Sequence, residues 1–362
     1  METMMIKEIN ITGFKSFPDK VIPLTNFTLL SGLNNSGKSS VIQALRMLES
    51  SYRNNSPLLD GYGDIDDIRS DHVHPSSEIE FSIEFNDGST QGLTLNNEYR
   101  SQITTFPELL YIGADRLGPQ ANLPIDFSLY SSPRIGDRGE FTYDFITKLT
   151  SIGYTVPSDM FHPESRSPTF EYQLRGWLSE IAPGVEFKYS TNRKSSVSHA
   201  EMDSYKPMNV GFGLSYTLPI IAATLGATCL PPTFESQANW VVNWEIKKTT
   251  QGILLIIENP EAHLHPQGQT AMGKMLAKAA ACGVQVIVET HSEHVMDGVR
   301  IAIKEGVLNH TDALFHYFEK STEGITEIKT PSIDENGKIS FWPNGFFDQT
   351  LKNRAFLAKR SK

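Results

Sequence analysis

Gly32-Leu33-Asn34-Asn35-Ser36-Gly37-Lys38-Ser39 sets two glycines, a lysine and a serine at the spacing of a phosphate-cradling loop. The apolar, β-prone run Phe27-Thr28-Leu29-Leu30-Ser31 precedes it. Apolar residues at helical spacing follow it from Ser40 to Leu48. Strand, glycine-rich turn and helix form the context in which backbone N–H groups converge on a polyphosphate and the helix dipole adds positive potential. In that setting Lys38 reaches the outer phosphates and Ser39 offers its hydroxyl to Mg²⁺.

Further candidates stand at the ends of two apolar runs. Ile253 to Ile257 is continuously apolar, as in a strand covered on both faces, and Glu258-Asn259-Pro260-Glu261 follows it. Ligands gather at the carboxyl ends of such strands, so Glu258 is placed to hold Mg²⁺ and Glu261 to orient or deprotonate a water. Val284 to Val288 ends in Glu289-Thr290-His291-Ser292, where His291 can sense a γ-phosphate or its water. A satisfied structural histidine is the other reading of His291, and His294 is read as structural. His263 and His265 stand two apart without an obvious third metal ligand, so a tight loop entering a helix at Pro266 is preferred to a metal site. Asn209-Val210-Gly211-Phe212-Gly213-Leu214-Ser215 opens another helix. Gly213 and Ser215 there make a second anion-binding helix start, useful if it meets a phosphate held by another subunit. Plain capping by Ser215 is the alternative.

The elements that must position these residues follow from periodicity. Two β-segments fill residues 4–30, with a turn at Gly13-Phe14-Lys15-Ser16-Phe17. The phosphate loop leads into a helix ending near residue 52. Alternation at Ile79, Phe81, Ile83 and Phe85, followed by Asn86-Asp87-Gly88, predicts a β-hairpin over 78–95. Leu109 to Ile112 reads as a buried strand. Helices are expected at about 138–152, 170–182, 266–282 and 292–305, with weaker strands in 312–342. The expected organisation is an N-terminal part carrying the phosphate loop over 1–116, a partly helical insertion over 117–205 and a C-terminal part over 206–362. Strand–helix alternation gives an α/β class: a mixed and parallel sheet flanked by helices, with an N-terminal antiparallel β subdomain.

Composition bounds the function classes. The chain has 362 residues, 39% hydrophobic and 20% charged, as in a globular protein with a sizeable core. No apolar run reaches the roughly eighteen residues of a membrane span. Residues 1–7 do not read as a secretory signal. Two cysteines, Cys229 and Cys282, build no disulfide scaffold. These features point to the cytoplasm, without a membrane partner. The net charge of −10 disfavours non-specific DNA binding. Lys15, Lys20, Arg193 and Lys194 form no dense basic run, so DNA stays an open partner that the charge does not indicate.

Together these motifs resemble the ABC-like ATPase heads of the SMC, RecF and overcoming-lysogenization-defect (OLD) group. Asn34-Asn35-Ser36-Gly37-Lys38-Ser39-Ser40 is similar to their Walker A loop, Glu258 to Pro266 to their Walker B and D-loop, and Thr290-His291-Ser292 to their switch. Small arm-less members share Tyr111-Ile112-Gly113-Ala114-Asp115-Arg116-Leu117-Gly118-Pro119, the Gly-Phe-Gly-x-Ser turn and the closing Trp342-Pro343-Asn344-Gly345-Phe346-Phe347-Asp348. The resemblance implies ATP and Mg²⁺ as ligands and a P-loop fold. It also implies a homodimer or higher oligomer in which Lys38 and Ser39 of one copy and Ser215 of another sandwich the γ-phosphate. Relatives encoded beside nucleases or toxins in anti-phage systems imply a slow ATPase switch or sensor that controls an effector. A RecF-like, DNA-binding repair ATPase is the alternative, and a scaffold that holds ATP without using it is a third reading. Departures are Glu258 where many heads have aspartate, Tyr216 where relatives often have glutamine, and no convincing Q-loop glutamine. The acidic metal cluster of a nuclease in cis is not evident.

Overall fold

The computed structural model describes residues 3–127, 132–183, 187–192, 197–202, 212–232, 238–343, 345, 347 and 349–358. Asn209, Val210 and Gly211 of the glycine-rich turn, Arg193 and Lys194, and Asn344, Phe346 and Asp348 of the closing motif lie outside the described residues. The chain divides into two compact units. One comprises residues 4–106 with 310–362, the other residues 1–3 with 107–309.

The first unit opens with β1 (Ile6–Phe14), β2 (Phe17–Pro23) and β3 (Phe27–Gly32), then α1 (Lys38–Tyr52) and the short α2 (Ile65–Ile68). Next come β4 (Ile79–Phe85), β5 (Thr90–Leu95) and β6 (Tyr99–Ser101). The expected hairpin forms with Ile79 opposite Leu95, and Gly88 takes the left-handed turn position at φ 82°. It belongs to an antiparallel sheet ordered β2-β1-β4-β5-β6. The buried alternation Ile79, Phe81, Ile83, Phe85 supplies that sheet's core face.

The second unit contains β7 (Glu108–Ile112), β8 (Asn122–Pro124), α3 (Thr142–Ile152), α4 (Phe170–Ile181), β9 (Phe187–Asn192) and β10 (Val197–Met202). It continues with α5 (Phe212–Thr228), α6 (Asn239–Thr250), β11 (Ile253–Glu258), α7 (Pro266–Ala281), β12 (Gln285–Glu289) and α8 (Glu293–Lys304). β11 is the parallel centre between β7 and β12, with Ile257 level with Ile112 and Glu258 with Glu289. Every residue from Ile253 to Ile257 is buried, as the unbroken apolar run predicts. α7 and α8 approach closely through glycines: a Cβ on Gly298 would sit 2.2 Å from Thr270 O, and one on Gly273 2.2 Å from Val295 O.

One boundary differs from expectation, and two features are additional to it. The helix expected from 138 begins at Thr142, because residues 137–141 turn, with Gly136 and Gly139 both at positive φ. The partly helical stretch also carries an antiparallel sheet, β8-β10-β9. α6 goes unread in the sequence: only Val241 and Trp244 are buried on it, while Val242 and Ile246 are exposed, so no apolar stripe marks it.

The chain returns to the first unit with β13 (Ala313–Lys320), β14 (Thr326–Lys329) and α9 (Gln349–Leu357), the last also unforeseen. β13 pairs parallel with β3 and antiparallel with β14. On β13, His316 is fully buried; its Nε2 lies 2.8 Å from Pro23 O and its Nδ1 2.7 Å from Thr330 Oγ1. A carbonyl only accepts, so Nε2 carries the proton and Nδ1 accepts from the threonine. Burial pushes the imidazole below its ordinary value of 6.5, outweighing the opposing effect of the Pro23 carbonyl. The unfolded chain therefore binds a proton more readily than the native one. The stability contributed by neutral His316 is complete above pH 6.5 and is lost as pH falls toward the native pKa. Urea midpoints are expected to fall between pH 7.5 and pH 5.5, and to fall less in His316→Gln. An identical decline in both proteins would reject this assignment.

Candidate nucleotide site

In the first unit, the phosphate loop leaves β3 at Gly32, which is at φ 139°. A Cβ there would lie 2.1 Å from Phe318 O, so β13 approaches too closely for any other residue. α1 begins at Lys38 behind Gly37 at φ 105°, with no side chain capping its N-terminus. That leaves the helix end suited to an anion. A Cβ on Gly37 would meet Thr326 Oγ1 at 2.6 Å. Thr326 itself is buried on β14; it donates to Ser36 O at 2.9 Å and lies 2.7 Å from Ser16 Oγ. This threonine braces the loop against the β1–β2 turn, and nothing in the local sequence marks it.

Lys38 is 3% exposed, and its Nζ donates to Gly32 O at 3.1 Å and Leu33 O at 2.8 Å. The ammonium is thus folded back on the loop's own carbonyls. Ser36 is buried with its Oγ lacking a hydrogen-bond partner. Leu33, Asn34, Asn35 and Ser39 are exposed, and Ser40 is buried. A cationic, N–H-rich loop with an unsatisfied buried hydroxyl fits a polyphosphate.

In the second unit, Glu258 ends β11, and its Oε1 accepts from Tyr111 Oη at 2.7 Å. The turn beyond it is built around Asn259 at φ 46° and His263 at φ 61°. Asn259 N donates to Glu289 O at 2.8 Å, pinning the turn to β12. Arg116 holds it from the other side. The guanidinium is buried and donates to Glu258 O at 2.6 Å, Asn259 O at 2.6 Å and Gly113 O at 2.9 Å. Burial pushes its pKa down, while Glu261, Tyr216, Glu258 and Tyr111 push it back up.

Both oxygens of Glu261 are engaged. Oε2 accepts from Thr290 Oγ1 at 2.7 Å, and Oε1 accepts from the main-chain N–H of His291 at 2.8 Å. The candidate base and the switch segment are therefore one hydrogen-bonded assembly. Ser292 extends it: its N donates to Thr290 Oγ1, its Oγ donates to Gln269 Oε1, and Gln269 Nε2 donates to Leu264 O. Ser292 also caps α8 through Val295 N, which gives it a structural duty of its own. The His291 side chain is exposed, as is that of His294. His265 is the N-cap residue of α7, and Pro266 occupies the helix's first turn.

Gly213 and Ser215 lie in the first turn of α5. Ser215 is 9% exposed, and its Oγ has no hydrogen-bond partner. It lines a small cavity with Leu117, Gly118, Gln120, Arg138 and Tyr143. That cavity's wall is tied together by Leu117 N donating to Arg138 O and by Arg138 Nε donating to Asp115 O. Ser215 thus points into the second unit's interior rather than out to solvent, an arrangement no reading of the motif foresees.

As to Mg²⁺, the Ser39 hydroxyl and the Glu258 carboxylate are hard oxygen donors of the type that ion takes, each at the end of a strand or helix in its own unit. Among the described residues, no group of three or more His, Cys, Asp or Glu side chains is arranged to hold a metal. No helix among them is long and apolar enough to cross a membrane.

A family model described as "AAA domain, putative AbiEii toxin, Type IV TA system" matches residues 27–297. A second, described as "Protein of unknown function (DUF3696)", matches residues 308–357. The chain is 22% identical over 401 residues to the OLD nuclease of Thermus scotoductus, spanning 99% of this chain and 71% of that protein. The Smc head domain of Pyrococcus furiosus, solved with the C-terminal domain of ScpA, aligns over 99% of this chain and 100% of its own, with a TM-score of 0.48 and 13% identity. The recombination mediator RecF with ATP aligns over 91% of this chain and 100% of its own, with a TM-score of 0.44 and 11% identity.

Proposed function

Since this chain belongs to that AAA-domain family, within the ABC-like ATPases of the SMC, RecF and OLD group, we propose that it binds and slowly hydrolyses ATP. In this reading it is a dimerising switch that controls a partner effector, a nuclease or toxin, in anti-phage defence. The carrying observation is Glu261, held at once by Thr290 Oγ1 and the His291 N–H. A carboxylate tied to the switch segment at both oxygens couples the chemical step to a conformational one.

Roles follow residue by residue. The loop from Gly32 to Ser40 binds the phosphates, and Lys38 exchanges its two carbonyl partners for phosphate oxygens. Such reactions are catalysed mainly by positioning and electrostatics, so this exchange is where binding energy enters. Ser39 and Glu258 are the hard oxygen donors that would hold Mg²⁺, which would supply charge neutralisation of the polyphosphate. Glu261 orients and deprotonates the water, and His291 registers the γ-phosphate. Ser215 serves a nucleotide held by a second copy; its Oγ, buried and without a hydrogen-bond partner, is available as a donor to a phosphate oxygen.

The test uses purified protein with Mg²⁺ and ATP. Phosphate release is expected, and light scattering should show a two-copy species with ATP that dissociates with ADP. Intact nucleotide after prolonged incubation would replace the switch with a nucleotide-holding scaffold. Strong stimulation by DNA would favour the repair-ATPase reading, which the net charge of −10 opposes.

A further inference from the structure

Arg116 is the most buried guanidinium of the second unit's site, 2% exposed, and its expense calls for a reason. Its hydrogen bonds go to carbonyls, not to a carboxylate: Gly113 O after β7, and Glu258 O and Asn259 O after β11. The planar fork matches that triplet of acceptors, which a single ammonium cannot reproduce. Its other surface faces α5. The guanidinium carbon lies 5.6 Å from the centre of the Tyr216 ring. That ring packs 4.6 Å from the imidazole of His263 in the loop beyond Glu261. Tyr216 immediately follows Ser215, so displacement of the first turn of α5 moves the ring that covers Arg116. Tyr111, on β7 five residues before Arg116, donates directly to Glu258 Oε1.

We propose that Arg116 is a positioning residue that couples the first turn of α5 to the metal-holding acid Glu258. The inference rests on the ATPase reading and deepens it. Seating of Ser215 on a second copy's nucleotide shifts Tyr216. Arg116 transmits the shift to the carbonyls of Glu258 and Asn259, and the turn carrying Glu261 follows. Tyr216, a departure from the glutamine of many relatives, becomes the ring half of a cation–π contact with a mechanical task.

The experiment compares wild type, Arg116→Lys, Tyr216→Leu and the double variant. It measures kcat and KM for ATP, Mn²⁺ binding in the presence of ATP by electron paramagnetic resonance, and thermal unfolding. Residues that orient a metal-binding carboxylate change metal affinity or activity by about 10–100-fold. Arg116→Lys is expected to weaken Mn²⁺ binding by that order and to lower kcat, with KM for ATP changed less than about threefold. Tyr216→Leu is expected to show the same pattern at smaller amplitude. The double variant should be no worse than Arg116→Lys alone, because both act through one path. Unchanged Mn²⁺ affinity, or fully additive losses, overturns the coupling. If Arg116→Lys does not fold, Tyr216→Leu decides through the Mn²⁺ readout alone. A wild type that binds no Mn²⁺–ATP and releases no phosphate refutes the ATPase reading itself, a result distinct from unequal variants on an active wild type.

Discussion

Lys38→Ala is expected to abolish measurable ATP hydrolysis and to weaken ATP binding, with a loss in kcat of roughly 10²–10³-fold or more. The ammonium is the one cation of the loop between Gly32 and Ser40, and its native partners include the loop's own carbonyls, Gly32 O and Leu33 O. Losing those two bonds costs about 1–3 kcal/mol, much of it recovered by water because Leu33 is exposed. The fold therefore survives, and thermal unfolding without nucleotide should shift by only a few degrees. Binding of a fluorescent ATP analogue and phosphate release, measured beside that control, separate lost phosphate contact from lost structure. Lys38→Arg should not rescue activity, since a planar guanidinium does not place a compact point charge where the ammonium sits. Wild-type turnover in Lys38→Ala would refute the phosphate-loop assignment.

Glu261→Gln is expected to lower hydrolysis by roughly 10²–10⁴-fold while leaving ATP binding intact. The amide is nearly isosteric, so its oxygen can keep the His291 N–H. Its NH₂ cannot accept from Thr290 Oγ1, and that pair must reverse, with the amide donating and the hydroxyl accepting. The switch segment stays tethered, but no base remains. The variant should accumulate with ATP as the two-copy species in light scattering, without decay over the time in which wild type returns to single copies. Thr290→Val is the informative companion: it leaves the carboxylate in place but cuts its tie to β12's exit. Turnover should then persist with altered coupling to assembly. Wild-type hydrolysis by Glu261→Gln would move the base elsewhere.

The two variants probe what was legible in the chain. The phosphate loop reads plainly because its requirements are local: φ near 105° at Gly37 and a helix start at Lys38 are properties of consecutive residues. β11 and β12 read equally well, since a strand buried on both faces needs an unbroken apolar run. The turn beyond Glu258 is legible as chemistry but not as geometry. Its partners, Tyr111 and Arg116, stand more than a hundred positions away and arrive only because β7 pairs with β11. Thr326, which braces the loop, comes from β14 by the same kind of pairing. The antiparallel pairing of β9 with β10 is not legible in the sequence because these strands carry too few apolar residues to announce a face.

By itself, then, the sequence determined which residues could do chemistry, since residue type and short spacing set backbone conformation and available donors. Only the tertiary structure decided how they are held. It buried the Ser215 hydroxyl beside a small cavity, tied Glu261 to Thr290 and His291, and seated Arg116 beneath the Tyr216 ring. Those relations join residues distant in the chain through strand pairing and helix packing, and no local spacing encodes them.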